Sequence, residues 1–353
     1  MGFTDEDGYP LINDEKKIRI TLSRKAQITI SEDMTAFGIQ KTATFINKVF
    51  SNYKDDAESS ISLYMQQRKI ELDRLFTNSK LDDPGKRIAI DVLLADEKAK
   101  IMKKISAYCS EKGKSRLYHI NDANFEYLTE DCDENQYYDR PGQYIRSVIE
   151  EYCSLPFIKR ERICRKDIYD KIQLACEKKN ILKIKAPYCE KDQIFYVYPY
   201  KIMPDPFHTQ SYLVCYSRKA EEEENDKITA SFSMARINTP TVLNQTFHLN
   251  KQEISDIEAE ISEYSAAYLV GTPELIMIKL TDKGKQLYKS KLYSRPEKIE
   301  EKSTKDVYAF DCTPHQIFNY FFSFGADAEI ISPKDLRDRF KDTYDKAFKL
   351  YSR

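Results

Sequence analysis

The chain has 353 residues, of which 41% are hydrophobic, and its formal net charge is −1. This length is enough to bury a sizeable core and favours two or three domains. The near-neutral charge excludes a global field that would draw the whole protein to nucleic acid, so any such binding must come from local basic faces. No apolar run approaches the length of about 20 residues that is needed to span a bilayer. The first residues are acidic and lack the basic segment followed by an apolar segment that is typical of a signal peptide. We therefore expect a cytoplasmic protein with no membrane partner.

The first part of the chain predicts one strand followed by a helix. Residues 1–15 are expected to form a disordered leader. Apolar and polar residues then alternate over residues 17–22, which predicts a short half-buried strand. Ser23 is a favourable N-cap for a helix over residues 24–37, and Gly38 follows where a helix C-cap belongs.

A second helix is predicted over residues 41–53, and one strand with two helices cannot bury a core alone. This order, over residues 16–54, resembles the ribbon-helix-helix fold, in which two chains pair their strands into one antiparallel ribbon. The resemblance implies that outward-facing strand residues read duplex DNA in the major groove. Here those residues are Lys17, Arg19 and Thr21. The alternative is a module that serves only dimerisation.

The middle of the chain alternates between helical and strand-like patterns. Residues 55–154 predict a mostly helical connector, whose charged faces we interpret as solvated. An acidic loop at residues 130–134 matches no known cation-binding spacing, so a solvated turn is expected there. After a lead-in helix, short strands follow at residues 181–185, 195–202, 211–216 and 228–237. Short strands at this spacing predict a small β-barrel, because closure removes exposed sheet edges.

Residues 155–250 resemble a WYL domain, which is an SH3-like barrel. The resemblance rests on a lysine-lined entry strand, Tyr198-Pro199, the tripeptide Ser211-Tyr212-Leu213, and Arg236-Ile237. The family's tripeptide begins with Trp, and Ser211 stands in its place here. WYL domains are generally taken as ligand- or nucleic-acid-sensing modules of bacterial regulators and defence systems. Residues 251–353 predict the order strand, strand, helix, strand, helix, which resembles the C-terminal extension that joins subunits in relatives, and this implies a homodimer.

Signs of catalysis are absent from the sequence. The four histidines are isolated, and no nucleophile motif, zinc motif or phosphate-binding loop appears. The eight cysteines are widely spaced with no C-x-x-C pair, which predicts reduced thiols rather than disulfides or a metal site. We therefore expect no enzyme, no cofactor and no bound metal.

Basic residues are interleaved with tyrosines between residues 151 and 219. A protein that binds single-stranded nucleic acid needs this combination, because cations follow the phosphates and rings stack on the bases. The alternative is an ordinary solvated sheet face with buried tyrosines. The predicted nucleic-acid or ligand-binding residues are Lys183, Lys185, Tyr198, Lys201, Tyr212, Tyr216, Arg218 and Arg236.

The predicted fold class is therefore a multidomain α+β protein. Its order is a ribbon-helix-helix, a helical connector, an SH3-like β-barrel and a small α/β C-terminal extension. This order resembles the WYL accessory proteins of type VI-D CRISPR systems, which bind single-stranded RNA and stimulate RNA cleavage by the effector RNase. The resemblance implies a non-catalytic accessory whose partners are single-stranded RNA and that effector. The alternatives are a ligand-sensing dimeric DNA-binding transcriptional regulator and a purely structural dimer.

Overall fold

The chain folds as two compact units, Met1–Tyr169 and Asp170–Arg353. Helices and antiparallel sheets occur in both units, which confirms the predicted mixture of α and β structure. The structure, a computed structural model, describes residues 2–6, 9, 11–12, 15–110, 112–133, 137–188, 191–205, 208–267, 269, 274–292 and 295–352.

The N-terminal unit is mostly helical and contains one two-stranded ribbon. The first predicted strand and the two helices after it are confirmed, and so is the helical character of the connector. The elements are, in chain order, β1 (Lys17–Leu22), α1 (Arg24–Ala36), α2 (Thr42–Tyr53), α3 (Ile61–Phe76), α4 (Asp83–Tyr108), β2 (Lys114–His119), α5 (Asp122–Glu126), a π-helical turn (Tyr127–Asp131), α6 (Pro141–Ser154) and α7 (Phe157–Cys164).

Both predicted caps of α1 are present. The Ser23 hydroxyl accepts a hydrogen bond from the Ala26 amide at 3.0 Å, which satisfies one of the free donors of the first turn. Gly38 adopts a φ of +68°, in the left-handed region that favours glycine. The chain then turns, and the Ile39 amide donates to the Met34 carbonyl at 2.9 Å.

The ribbon forms within one chain. β1 pairs antiparallel with β2, so that Ile18 lies opposite Tyr118 and Arg19 lies opposite Leu117. The ribbon-helix-helix resemblance implied pairing between two chains, and the structure differs on this point. The partner strand comes from beyond α4, far along the chain, so no local pattern near β1 could indicate it.

Helix α6 forms the centre of the N-terminal unit. Its N-terminus lies so close to β1 that a Cβ added at Gly142 would sit 2.3 Å from the Arg19 carbonyl oxygen. Two adjacent carboxylates of α6 are buried and accept hydrogen bonds from other elements. Glu150 accepts from the Ser23 amide at 2.6 Å, and Glu151 accepts from the Ser59 amide at 3.0 Å.

Part of the predicted disordered leader is packed onto this unit. The Phe3 side chain is buried and its ring stacks near that of Tyr144, with ring centroids 6.3 Å apart. The Phe3 amide donates to the Leu128 carbonyl at 2.7 Å, and Ile12 is also buried. An apolar residue at each of these two positions explains the difference, because both side chains leave water.

The C-terminal unit holds two antiparallel sheets. Helix α8 (Lys166–Lys178) leads into it from the end of the N-terminal unit. The elements that follow are β3 (Asn180–Tyr188), β4 (Lys191–Pro204), β5 (Ser211–Lys219), β6 (Ile228–Ser233), β7 (Thr241–Thr246), α9 (Lys251–Tyr264), β8 (Glu274–Leu280), α10 (Asp282–Ser290), β9 (Val307–Cys312), α11 (Pro314–Phe321), β10 (Ala328–Ser332) and α12 (Lys334–Tyr351).

The first sheet has five strands in the order β6-β5-β4-β3-β7. Among the described strands β6 and β7 are edges, so the sheet is open rather than closed into the predicted barrel. A helix explains the difference: α9 packs on one face of the sheet and buries its apolar side chains. The sheet therefore need not curl onto itself to cover that face. Neither β7 nor α9 was predicted.

The second sheet has three strands in the order β10-β8-β9. It packs against α11 and α12 around a core rich in aromatic rings, which includes Phe310, Tyr320, Phe321 and Phe340. The predicted order of strand, strand, helix, strand, helix is confirmed, with α10 as an additional helix between the first two strands.

Candidate nucleic-acid interface

Side chains alternate between the two faces of a sheet along each strand, and this alternation places seven of the eight predicted binding residues on one face of the five-stranded sheet. Lys183 lies opposite Tyr196, Tyr196 lies opposite Arg218, and Tyr198 lies opposite Tyr216. Side chains of directly opposite residues share a face, as do those two positions apart. We call this side the tyrosine face. The predicted residues on it are Lys183, Lys185, Tyr198, Lys201, Tyr212, Tyr216 and Arg218.

Helix α9 covers the middle of the tyrosine face. Ile257 of this helix is fully buried in a cluster with Tyr198 and Tyr216. Tyr198 is only 1% exposed, and the Tyr216 hydroxyl donates to the Glu253 carbonyl of α9 at 2.9 Å. These two rings pack as core, so in this structure their faces are not open to a base.

One row of side chains on the tyrosine face stays accessible beside α9. It consists of Lys183, Tyr196 and Arg218, which lie side by side on β3, β4 and β5, and we call it the rim row. Lys183 is exposed and has no ion pair with any described residue, while Tyr196 and Arg218 are half-buried. The Arg218 guanidinium lies over the Tyr196 ring at 4.5 Å from its centroid and donates to the Glu222 carbonyl at 2.6 Å. The rim row thus offers a fixed ring between two cations.

A further lysine of the tyrosine face, Lys201, is engaged by α9. The Lys201 ammonium lies 2.7 Å from a Glu258 carboxylate oxygen, and the Tyr200 hydroxyl donates to the same oxygen at 2.5 Å. The bond from Lys201 and then that from Tyr200 hold the pKa of Glu258 below its usual range. The same carboxylate raises the pKa of Tyr200 to about 12. Lys201 must therefore leave Glu258 before it can contact a phosphate.

Arg236 lies away from the rim row. It ends a 3-10 turn that follows β6, next to the end of β5 that carries Tyr212, and it is exposed. Arg218 lies six positions after Tyr212 on β5, a distance of about 20 Å along an extended strand. Burial lowers the pKa of His315, and the charges of nearby Arg339 and Arg236 lower it further. Arg236 thus lies at the opposite end of the sheet from the rim row.

The predicted DNA-reading residues lie on the outward face of the ribbon. Lys17 and Arg19 are exposed and Thr21 is half-buried. Lys17 forms an ion pair with Glu15 at 2.9 Å, and exposed Leu117 of β2 lies opposite Arg19. This face is accessible, but it carries few charges and one large apolar side chain.

The described residues hold no group of three or more His, Cys, Asp or Glu side chains placed to bind a metal ion. Glu134 of the acidic loop lies outside the described residues. No disulfide joins the described cysteines, and burial raises the pKa of the Cys109 thiol to about 11. In the described part of the chain, each helix is too short or too polar to cross a membrane.

Sequence reasoning missed α9 and the two of its glutamates that bond the sheet, Glu253 and Glu258. A signal for this helix was present, because Asn250 and Glu253 form a reciprocal capping box. The Asn250 amide donates to Glu253 at 2.7 Å, and the Glu253 amide donates to Asn250 at 2.9 Å. Ile254, Ile257 and Ile261 follow at helical spacing, so the motif and the apolar stripe together predict a helix here.

Comparisons with known proteins show that this chain shares its fold with a protein of known structure. No family model matches the sequence, and no curated protein matches it. Over its whole length the chain shares the fold of a solved CRISPR Cas-related protein, with a TM-score of 0.70. That match covers 100% of this chain and 97% of the other, at 20% sequence identity, which establishes a shared fold. A second solved structure, proteasome accessory factor B/C of Arthrobacter aurescens, is 11% identical over 68% of this chain and 37% of its own. Its TM-score of 0.28 is too low to carry an argument.

Proposed function

We propose that this protein is a non-catalytic accessory of a type VI-D CRISPR system that binds single-stranded RNA and stimulates RNA cleavage by the effector RNase. The full-length likeness to a CRISPR Cas-related protein supports the association with a CRISPR system. The observation that carries the RNA-binding step is the rim row, in which Tyr196 lies between Lys183 and Arg218. Cations that follow a phosphate backbone beside a ring that stacks on bases are the usual means of binding unpaired strands.

The proposed mechanism is capture of RNA at the edge of the tyrosine face. Lys183, Lys185 and Arg218 contact phosphates, and the Tyr196 ring, which Arg218 holds in place, stacks on one base. The bound strand is thereby concentrated near the effector, or the effector is held in its active state. The accessory needs no catalytic group for either effect.

The test is equilibrium binding of labelled single-stranded RNA at low and moderate salt, measured by fluorescence anisotropy. A Lys183→Gln/Arg218→Gln variant should bind at least about tenfold more weakly at low salt, and its salt dependence should fall by about one unit of slope for each lost phosphate contact. Lys17→Gln/Arg19→Gln, which removes the same charge from the ribbon, is the matched control and should bind as the wild type does. Wild-type affinity in the rim-row variant would contradict the proposal. If Arg236→Ala abolishes binding instead, the RNA site lies at the other end of the sheet.

The effector step is tested separately with a cleavage assay. Addition of the wild-type protein should raise the rate of RNA cleavage by a type VI-D effector, and the rim-row variant should not. Stimulation by a variant that no longer binds RNA would show that capture is not the mechanism. No stimulation by the wild-type protein would refute the accessory role.

We further propose that the protein is a homodimer joined through the C-terminal extension. The last turns of α12 leave three large apolar side chains in solvent: Phe348 is 72% exposed, Leu350 69% and Tyr351 91%. Neighbouring apolar side chains of this size are typical of a surface that a partner covers. Light scattering should give twice the chain mass for the wild-type protein and the chain mass for Phe348→Glu/Tyr351→Glu. A dimer that survives this change would place the interface elsewhere.

A second candidate function is supported by the accessible outward face of the ribbon, where Lys17 and Arg19 are exposed. In this alternative the protein is a DNA-binding transcriptional regulator that senses a ligand through its C-terminal unit. Binding to duplex DNA that is lost in Lys17→Ala/Arg19→Ala would favour it. If neither RNA nor DNA binds at low salt, where phosphate contacts are strongest, both candidates are wrong and a structural dimer remains.

A further inference from the structure

A cavity of about 420 Å³ lies in the N-terminal unit, between the ribbon, α1 and the turn that leads into α2. This volume falls within the range of about 300–1,000 Å³ that is typical of small-molecule sites. The ribbon contributes Leu22, Arg116 and Tyr118 to the wall. Tyr118 lies opposite buried Ile18, on the side of the ribbon away from the predicted DNA-reading residues. Neither proposed function uses this cavity.

The charge of the lining selects an anion. Among the described residues that line the cavity, Arg116 is the one charged side chain, and no carboxylate lies beside it. Its guanidinium has no hydrogen bond or ion pair with any described residue. A cation without a counter-charge in a concave surface attracts anions, and a guanidinium binds a phosphate or carboxylate with two parallel hydrogen bonds.

Tyr118 adds a donor that lacks a partner. Its side chain is only 8% exposed, and its hydroxyl has no hydrogen bond to any described residue. Burial raises the pKa of Tyr118, against a smaller opposing effect of the Arg116 charge, so the hydroxyl keeps its proton at neutral pH. Because Tyr118 lines the cavity, its hydroxyl can donate to an oxygen of a bound ligand.

The start of α2 supplies further donors at the same cavity. Thr42 is the first residue of this 12-residue helix and lines the wall, and the preceding Lys41 makes no side-chain cap. The first amides of the helix therefore lack partners and carry a partial positive charge. On the opposite wall α1 contributes the apolar Ile30 and Met34 beside the polar Ser31 and Thr35, while the Gln40 side-chain amide lies at the turn. An apolar patch flanked by polar side chains suits a flat ring with a hydrogen-bonding edge.

We propose that this cavity binds a mononucleotide, with the phosphate against Arg116 and the first turn of α2 and the base against Ile30 and Met34. The ligand is a free nucleotide, whose size suits a cavity of about 420 Å³. The site is independent of RNA capture on the tyrosine face.

Titration calorimetry of the full chain with each of the four ribonucleoside monophosphates tests this proposal. At least one of them should bind more tightly than its own nucleoside and more tightly than inorganic phosphate. Arg116→Gln should weaken that binding by about tenfold or more, since it removes a charge-assisted contact. Arg116→Lys, which keeps the charge, should lose less, and Tyr118→Phe should also weaken binding.

Two matched controls separate this site from the others. Arg19→Gln removes a guanidinium from the outward face of the same ribbon, and Arg236→Ala removes one from the C-terminal unit. Both should bind the nucleotide as the wild type does. Thermal unfolding of each variant checks that it is folded.

Four results would overturn the proposal. The first is that none of the monophosphates binds, and the second is that inorganic phosphate or a nucleoside binds as tightly as the nucleotide. The third is unchanged nucleotide affinity in folded Arg116→Gln, and the fourth is loss of nucleotide binding in Arg236→Ala. Because RNA capture is measured with the rim-row variant, either site can fail while the other stands.

Discussion

Two sets of carboxylates, one on α6 of the N-terminal unit and one on α9 of the C-terminal unit, are held in different ways. In the N-terminal unit Glu150 and Glu151 of α6 are buried, and the bonds that Glu150 accepts from the Ser23 amide and hydroxyl replace bonds to water. In the C-terminal unit the Lys201–Glu258 pair lies at the edge of α9, partly in solvent. A buried carboxylate that caps other elements stabilises a framework, because its removal leaves donors without partners. A partly solvated pair contributes little to stability and can open when a ligand arrives.

Replacement of Glu151 is the strongest test of whether the buried carboxylates of α6 stabilise the N-terminal unit. Its carboxylate accepts from the Tyr53 hydroxyl at 2.8 Å, the Glu58 amide at 2.9 Å, and the Ser59 amide and hydroxyl at 3.0 and 2.6 Å. Glu151→Ala leaves these buried donors without partners and should lower the free energy of unfolding of the N-terminal unit by about 3–5 kcal/mol. Urea unfolding, followed by circular dichroism, measures the loss. Glu258→Ala is the control and should cost less than about 1 kcal/mol. Equal losses would abolish the distinction between the buried carboxylate of α6 and the partly solvated one of α9.

Close packing of α6 on β1 should make Gly142 nearly as sensitive. A Cβ at this position would sit 2.3 Å from a backbone oxygen of Arg19, which cannot swing away as a side chain can. Gly142→Ala should therefore cost about 1–3 kcal/mol, as the helix shifts off the ribbon. Gly85→Ala is the matched control, since the nearest atom there, at 2.6 Å, belongs to the Asp82 side chain. A stability loss as small as that of Gly85→Ala would show that α6 can move without penalty.

Two tyrosines on the same strand test the contrast within the C-terminal unit. Tyr198 is covered by α9, whereas Tyr196 stays in the accessible rim row. Tyr198→Leu should lower the free energy of unfolding by about 1–2 kcal/mol and weaken RNA binding by no more than about threefold, because only the 3.3 Å hydrogen bond from Arg218 to its hydroxyl links it to the rim row. Tyr196→Leu should change stability by no more than about 0.5 kcal/mol and weaken RNA binding by about 5- to 100-fold. Loss of RNA binding in a folded Tyr198→Leu would mean that α9 moves aside when RNA binds.

Tyr196 and Tyr198 also show how much of the candidate site can be predicted from the sequence. Alternation along β4 places Tyr196 and Tyr198 on one face, and that prediction needs only the two-residue period of a strand. The same pattern cannot tell which of them a helix covers, because coverage depends on α9, which lies some fifty residues away in sequence. The caps of α1 were predictable for the same local reason, since Ser23 and Gly38 act within one turn. The pairing of β1 with β2 was not, because it joins strands that α1 to α4 separate.

The Lys201–Glu258 ion pair should have the smallest effect on the free energy of unfolding, and it should also affect RNA affinity. The pKa of Glu258 is depressed below the ordinary value of 4.5, first by the bond from Lys201 and then by that from Tyr200. A depressed folded-state pKa means that the stabilisation is fully present above the unfolded-state value, and that it is lost as the pH falls through the folded-state value. In a double-mutant cycle of Lys201→Gln and Glu258→Gln, the coupling should be below about 1 kcal/mol at neutral pH, since the side chains are 37% and 44% exposed. It should vanish once the pH is well below 4.5.

The same pair predicts a gain in RNA affinity. Glu258→Gln releases Lys201 and removes a negative charge from the tyrosine face, so RNA binding at neutral pH should tighten. The gain should be no more than about fivefold, because an exposed pair of this kind is worth at most about 1 kcal/mol. Anisotropy titrations of Glu258→Gln and of Lys201→Gln/Glu258→Gln measure it, and the double variant should lose the gain. If RNA affinity is the same in all three proteins, Lys201 takes no part in binding, and the interface is confined to the rim row, where no carboxylate of α9 has to be displaced.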